Sequence, residues 1–409
     1  MARADRGARG PSLDRAGVRV QRVQSRANGH RTRRGGAPAP WKLSTITWTF
    51  SLAIVALGLS AALFGRWVER VGPRAAMAVA ALCFGSGFFV AAIGVRLHLF
   101  PLLLLGYGVL GGIGLGIGYI SPVSTLLRWF PDRPGMATGM AIMGFGGGGL
   151  LGAPIGVWLL TETGSVARTF GCMGVGYGTL MLLGASAVRV PAVNTATASS
   201  QDGVTTPDAI RRADFWALWV VLCCNVTAGI GVLGAAYSMI IELFPGRVSP
   251  VQAASFVSGL SLSNMLGRIV WSSFSDRIGR FATYAIFFGL GACLYATVPS
   301  VGARGNIPLF LAMYALILSM YGGGFATIPA YLRDRFGTRE VGAIHGRLLT
   351  AWSVAGLIGP LAVSYLRESQ LARGVAPADA YSLVIRLMAV VLLIGGTANL
   401  VVRRLPRAT

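Results

Sequence analysis

The sequence predicts an all-α membrane protein built from two related, pseudo-symmetric helical halves. Three observations predict it: eleven apolar stretches long enough to cross a bilayer, arginines gathered in alternate connecting loops, and a repeated acid–arginine–glycine loop. Apolar residues make up 54% of the 409 residues and charged residues only 12%, with a mean hydropathy of +0.64. A soluble domain carries about 25% charged residues, so most of this surface is expected to face lipid. The 57 glycines then read as helix-packing positions, where small residues let backbones approach closely.

A spanning helix needs about 20 apolar residues. Such stretches occupy 43–66, 75–97, 100–128, 135–160 and 166–189, then 215–243, 249–271, 281–299, 307–331, 341–366 and 380–402. The polar segment 190–214 divides five spans from six and reads as a linker between an N-terminal half, 43–189, and a C-terminal half, 215–402. Residues 403–409 form a short tail. Residues 1–42 hold ten arginines and Lys42 against Asp5 and Asp14, so they supply +9 of the net charge of +22. They contain no apolar core, which excludes a secretory signal, and no aromatic interleaving of the kind that binds nucleic acid. They read as a basic, disordered tail. The five cysteines all lie in apolar runs without disulfide or metal-ligand spacing, and no cofactor motif is present.

Orientation follows from the arginines. Arg66, Arg70, Arg74, Arg128, Arg133, Arg211, Arg212, Arg277, Arg280, Arg333, Arg335 and Arg339 fall in one set of loops, with Arg403, Arg404 and Arg407 in the tail beyond the last span. The opposite loops hold only Arg96, Arg168, Arg247, Arg304, Arg367 and Arg373. The first set is expected on the cytoplasmic side, the C-terminus inside, in a cell (inner) membrane. Eleven spans would leave the basic N-terminal tail outside, against the charge rule. A first helix lost through a misplaced start or a shifted frame resolves that conflict.

Self-similarity sharpens the division. Glu69-Arg70-Val71-Gly72 matches Asp276-Arg277-Ile278-Gly279 at an offset of 207, while Phe130 with Phe336, Arg133 with Arg339 and Pro154 with Pro360 match at 206. The loop Gly65-x-x-x-Glu69-Arg70-x-Gly72-x-Arg74 resembles the signature between the second and third helices of the major facilitator superfamily. Ser272-x-x-x-Asp276-Arg277-x-Gly279-Arg280 resembles its second-half copy. The resemblance implies the major facilitator fold with five plus six spans, the family's first helix missing. Gly72 and Gly279 suit tight turns, and the acids and arginines can hydrogen-bond helix ends across the cytoplasmic side, contacts suited to gating.

Within the spans one charge stands out. Arg268 precedes Asp276 by eight residues, about 12 Å at 1.5 Å per residue, and its repeat partner is Ala61. A charge near a helix centre costs at least about 2.5–3.5 kcal/mol unless water, a partner or an anion meets it. The stretches Asn264-Met-Leu-Gly-Arg268, Tyr321-Gly-Gly-Gly-Phe-Ala-Thr-Ile-Pro329, Gly342-Ala-Ile-His345-Gly346 through Trp352, and Trp129-Phe130-Pro131-Asp132-Arg133 resemble the oxalate/formate antiporter family, a relative of the monocarboxylate transporters. That resemblance implies that Arg268 meets a substrate carboxylate. It also implies that Trp352 stands where the oxalate exchanger has a second cation, which favours a monoanion. Asn264 stands where proton-coupled relatives have an acid, which speaks against proton symport by that route.

Tyr119 is a further candidate for the substrate, with Ser121, Tyr237 and Tyr321 weaker ones. Trp352 could wall the cavity. His345, near the start of its span, is expected to cap or face the interface rather than relay protons. Two G-x-G-x-x-G stretches, from Gly106 and from Gly147, lie inside spans and read as packing rather than nucleotide binding. No enzyme motif appears. The expected function is a monomeric secondary carrier of a small carboxylate anion in the lipid bilayer. A carrier for an unrelated solute, or a non-transporting or inactive truncated membrane protein, stays open at this point.

Overall fold

The computed structural model describes residues 41, 43–189 and 203–406. The tail before Trp41, most of the linker and the last three residues therefore lie outside the described residues. From Leu43 onward eleven long helices follow one another. The first half contains α1 (Leu43–Val71), α2 (Pro73–Arg96), α3 (Phe100–Trp129), α4 (Pro134–Thr163) and α5 (Val166–Ala187). The second contains α6 (Ala213–Leu243), α7 (Pro250–Ile278), α8 (Arg280–Ala303), α9 (Ile307–Phe336), α10 (Val341–Ala372) and α11 (Pro377–Arg404).

Ten of these helices are long and apolar enough to cross a membrane. The exception is α7, which corrects the expectation of eleven apolar spans. Its 29 residues are long enough, but Asn264, Arg268, Asp276, Arg277 and seven serines lower its hydropathy. Ser261, Asn264, Arg268, Ser272 and Ser275 are buried, so α7 turns its polar residues toward other helices rather than toward lipid.

The two copies of the acid–arginine loop share a backbone as well as a sequence. Gly72 has φ 83° and ψ 163°, and Gly279 has φ 86° and ψ 154°. That positive-φ region is open to glycine and strained for other residues, so both helix-to-helix turns depend on glycine at this place. By the same register α1 corresponds to α7, α2 to α8, α3 to α9, α4 to α10 and α5 to α11. Among the described residues of the first half, α6 has no counterpart.

The halves meet through two helix pairs related by the repeat: α1 packs on α10, and α4 on α7. Glycine makes the second pairing possible. A Cβ at Gly139 would collide with the Ser272 hydroxyl and come within 2.7 Å of the Arg268 carbonyl, and one at Gly146 within 2.8 Å of Arg268 Nε. The glycine-rich stretch at Gly106 sits in a π-helical segment of α3, Leu104–Gly111, against α2. Two helices are interrupted. α4 breaks at Gly147, and α10 breaks at Leu349, between segments Val341–Leu348 and Thr350–Ala372.

The end of the linker is tied to the second half. Gly203 bridges Gly337, the Val204 amide donates to the Phe336 carbonyl at 3.0 Å, and a short helix runs Thr206–Arg211 before α6. Asp214, at the start of α6, is buried between Arg212 at 3.1 Å and Arg335 at 3.2 Å.

Candidate functional site

Arg268 lies at the seam of the halves with 3% of its surface exposed. Its Nε donates to Asn264 Oδ1, one helical turn earlier, at 3.1 Å, and its Nη1 donates to the Ile142 carbonyl of α4 at 3.1 Å. Among the described residues nothing accepts from Nη2. The guanidinium lies 5.8 Å from the Phe145 ring centre of α4 and 5.2 Å from that of Phe325 in α9. Such contacts contribute about 0.5–2 kcal/mol each as water is excluded, and among the described residues no carboxylate is paired with the charge. A buried cation with one free edge and no acid partner is electrostatically prepared for an anion.

The remaining rings close a box around that edge. Phe325 packs 4.7 Å from Trp352 of α10 and 5.5 Å from Tyr119 of α3, while Phe145 lies 5.2 Å from Trp352 and 6.0 Å from Tyr119. Tyr119 also sits 5.6 Å from the His345 ring of α10. The Tyr119 hydroxyl, Trp352 Nε1 and both His345 ring nitrogens are buried without a hydrogen-bond partner. Each buried polar group left unpaired costs about 1–3 kcal/mol, and several walls of the box carry such groups. Behind it, a cavity of about 240 Å³ lies among α2, α3, α4 and α5, lined in part by Tyr119, Ile142 and Phe145.

The four residues expected at the substrate therefore come together, with different jobs. Arg268, Tyr119 and Trp352 present free donors, whereas Asn264 uses its carbonyl oxygen to hold Arg268. Three participants were missed: Phe145, Phe325 and the Ile142 carbonyl. His345 corrects an expectation, because it caps nothing and faces no interface with solvent; it is 0% exposed and turned toward Tyr119. Its seven-residue spacing to Trp352 puts both on one helix face, a signal that was present in the sequence. Ser121 merely back-bonds to the Ile117 carbonyl at 3.4 Å, and Tyr237 is exposed.

A second set of polar contacts closes the arginine-rich end. Asp276 accepts from the Gly135 and Met136 amides at 2.9 Å each, capping α4 of the opposite half. Glu69 accepts from the Ala343 amide at 3.1 Å, capping α10 of the opposite half. Gly65 lies against Ala343, with room for no side chain: a Cβ there would come within 2.9 Å of the Ala343 Cα. Arg66 pairs with Glu340 at 3.5 Å, Glu340 accepts from the Thr206 amide at 2.8 Å, and Arg333 donates to the Pro131 carbonyl at 2.7 Å. Partial burial pushes the Glu340 carboxyl up, but the Thr206 hydrogen bonds and the Arg66 charge outweigh it and hold the group below its ordinary 4.5.

The motif arginines behave differently from expectation. Arg70 and Arg277 are exposed and hydrogen-bond no helix end. Arg280 takes that place instead, bonding Asp276 at 2.6 Å, Asp334 at 3.1 Å and the Ser275 hydroxyl. Arg74 donates to the Val188 carbonyl at 2.6 Å within its own half. The acids are short enough to stay at the seam, while the long arginines next to them extend to solvent.

Two helical halves joined by repeat-related helix pairs, with an anion-ready cation between them, define a transporter architecture. The chain belongs to the major facilitator superfamily, whose family model matches residues 29–360. It is 30% identical over 329 residues to the oxalate:formate antiporter of Oxalobacter formigenes, covering 78% of this chain and 74% of that one. It is 26% identical over 323 residues to the MFS-type transporter YhjX of Escherichia coli (strain K12), covering 77% of each. The fold is also that of the E. coli fucose:proton symporter, FucP, with a TM-score of 0.65 at 12% identity over 87% of this chain and 91% of that one. The human organic anion transporter MFSD10 gives a TM-score of 0.65 at 15% identity, covering 95% of this chain and 92% of that one.

Proposed function

We propose that this chain is a secondary carrier of small carboxylates, monoanions foremost, which it moves by alternating access. The observation that carries the reading is Arg268: buried, held by Asn264 and Ile142, and free at Nη2 inside a box whose other donors are unpaired. A carboxylate on that edge would neutralise the charge and satisfy donors that are otherwise stranded. Among the described residues Arg268 is the one cation in the box, so a second carboxylate would be buried unpaired. Relatives named for formate and pyruvate are in keeping with a monoanion, and the oxalate in the name of one of them is a carboxylate as well.

Glu69 and Asp276 act as reciprocal latches that hold the arginine-rich end shut, with Gly65, Gly72 and Gly279 shaping their turns. Arg74 braces the first loop. Arg70 and Arg277 stand free to engage new partners when the end opens. On this reading the arginine-rich end is the cytoplasmic one, as its charge suggests, with the C-terminus on the cytoplasmic side of a cell membrane and the carrier, a monomer, closed toward the cytoplasm.

Counterflow in proteoliposomes tests the reading. Vesicles preloaded with formate, pyruvate or oxalate should accumulate the labelled anion transiently, while vesicles loaded with fucose or xylose should not. Sugar counterflow without carboxylate counterflow would overturn the proposal.

A further inference from the structure

We infer that His345 is a specificity-determining residue that reads a second oxygen, on the carbon next to the carboxylate, in the substrate held by Arg268. The inference rests on the carboxylate reading above and extends it to a residue outside the guanidinium's own contacts.

Among the described residues neither ring nitrogen of His345 has a hydrogen-bond partner. The residue lies in the first segment of α10, whose glycines are packed to the limit on both sides of it. A Cβ at Gly342 would come within 2.8 Å of Glu69 Oε1, and one at Gly346 within 3.1 Å of the Ile120 side chain. The ring is 0% exposed, with neither nitrogen bonded among the described residues. The nearby carboxylate, Glu69, is turned to the Ala343 amide instead. A histidine kept for packing alone could be replaced by an apolar ring without the cost of two stranded nitrogens.

What the ring does face is the box. Tyr119 lies 5.6 Å from it and carries its own stranded hydroxyl, and the next polar atom round the box is Trp352 Nε1. The same two phenyl rings that cover the guanidinium, Phe145 and Phe325, touch both Tyr119 and Trp352. The stranded groups therefore begin one ring's width from the anion edge. A bare carboxylate has two oxygens, and the guanidinium takes one side of them. The opposite wall asks for a further oxygen on a short substrate. A neutral imidazole offers one N–H donor and one lone pair, so it can donate to a 2-oxo group and either donate to a 2-hydroxy group or accept from it. The class selected is carboxylates with an oxygen on the neighbouring carbon, over simple alkyl carboxylates of equal length. A site built to hydrogen-bond an oxygen discriminates strongly against the analogue that lacks it, because its own groups are then left unpaired.

The experiment compares counterflow of labelled pyruvate with that of propionate, which has the same length and no second oxygen. The full-length wild-type chain should show a KM for pyruvate about tenfold or more below that for propionate. His345→Phe should raise the pyruvate KM at least tenfold more than the propionate KM, and His345→Asn should restore part of the difference. Equal KM values in the wild type, or a His345→Phe variant that leaves their ratio unchanged, would overturn the inference. The wild-type comparison decides even where the Phe variant fails to fold. Saturable uptake of both acids without preference removes only this inference, whereas absence of uptake for every carboxylate removes the carrier reading with it.

Discussion

Asp276 accepts the backbone amide of Gly135 at 2.9 Å across the seam between the halves. The bond joins the acid of the second-half loop to the first turn of a first-half helix. Its repeat partner, Glu69, does the same in the other direction, accepting from Ala343 at 3.1 Å. Each acid thus meets the positive end of a helix dipole in the opposite half, where a carboxylate is stabilising. Neither contact can survive a rotation that parts the halves at this end. The contacts across this end run from two short acids to three helix-end amides, rather than from Arg70 and Arg277 beside them.

Removing either acid should loosen this end. A lost cap of this kind costs about 0.5–2 kcal/mol, enough to shift a closed-to-open ratio severalfold. Ser124 lies behind the seal, against Gly342. A cysteine introduced there, with the five native cysteines replaced, should react severalfold faster with an impermeant maleimide in Asp276→Ala or Glu69→Ala. The reagent is applied from the arginine-rich side. Unchanged labelling would show that the end is held by something else.

The crossing of α4 and α7 should tolerate no side chain at Gly139. Alanine there drives a Cβ into Ser272 and the Arg268 carbonyl, and overpacking of this kind costs about 1–3 kcal/mol. Gly144, five residues on, has no atom within 4 Å of its would-be Cβ. Melting in detergent should drop for Gly139→Ala, while Gly144→Ala should be neutral or gain up to about 1 kcal/mol from helix propensity. Similar melting of the two variants would contradict the close crossing.

Acid should weaken the Glu340 contacts at the same end in a defined direction. The Thr206 hydrogen bonds and the Arg66 charge, outweighing partial burial, hold the Glu340 carboxyl below its ordinary 4.5 in the closed end. A depressed value means that the contact's contribution is fully present above 4.5 and is lost as pH falls through the lower, closed-state value. Melting followed from pH 7 downward should therefore fall more steeply below pH 4.5 in the wild type than in Glu340→Gln. Identical acid profiles for the two chains would show that Glu340 carries none of the dependence.

Much of this was legible beforehand, for physical reasons that differ by feature. Helix positions were readable because lipid demands long apolar runs. The repeat was readable because Gly72 and Gly279 must supply the same positive-φ turn. Arg268 stood out because a charge in a span needs a cause. Contacts across the seam were not readable in the same way. Composition places Glu69 and Asp276 in loops, but only the packing of α1 on α10 and of α4 on α7 shows which amides they reach. Arg280, rather than Arg277, bonds Asp276 because it starts α8 on the buried side of the turn, which no local pattern states. α7 was read as one more apolar span over 249–271, because no local pattern states that its polar residues are buried against other helices. The pairing of His345 with Tyr119 depends on how α10 meets α3, although the His345–Trp352 spacing already put those two on one face.

In the proposed carrier, Arg268 binds the carboxylate of the transported anion. Counterflow of labelled formate and pyruvate by Arg268→Ala, in proteoliposomes matched for protein amount and melting temperature, tests it most directly. Loss of at least about 3 kcal/mol of a charge-assisted bond predicts a fall of a hundredfold or more for every carboxylate. Arg268→Lys should recover only a small part, because a point charge cannot span Asn264, Ile142 and the substrate together. Carboxylate counterflow that persists at the wild-type rate in Arg268→Ala would contradict the account.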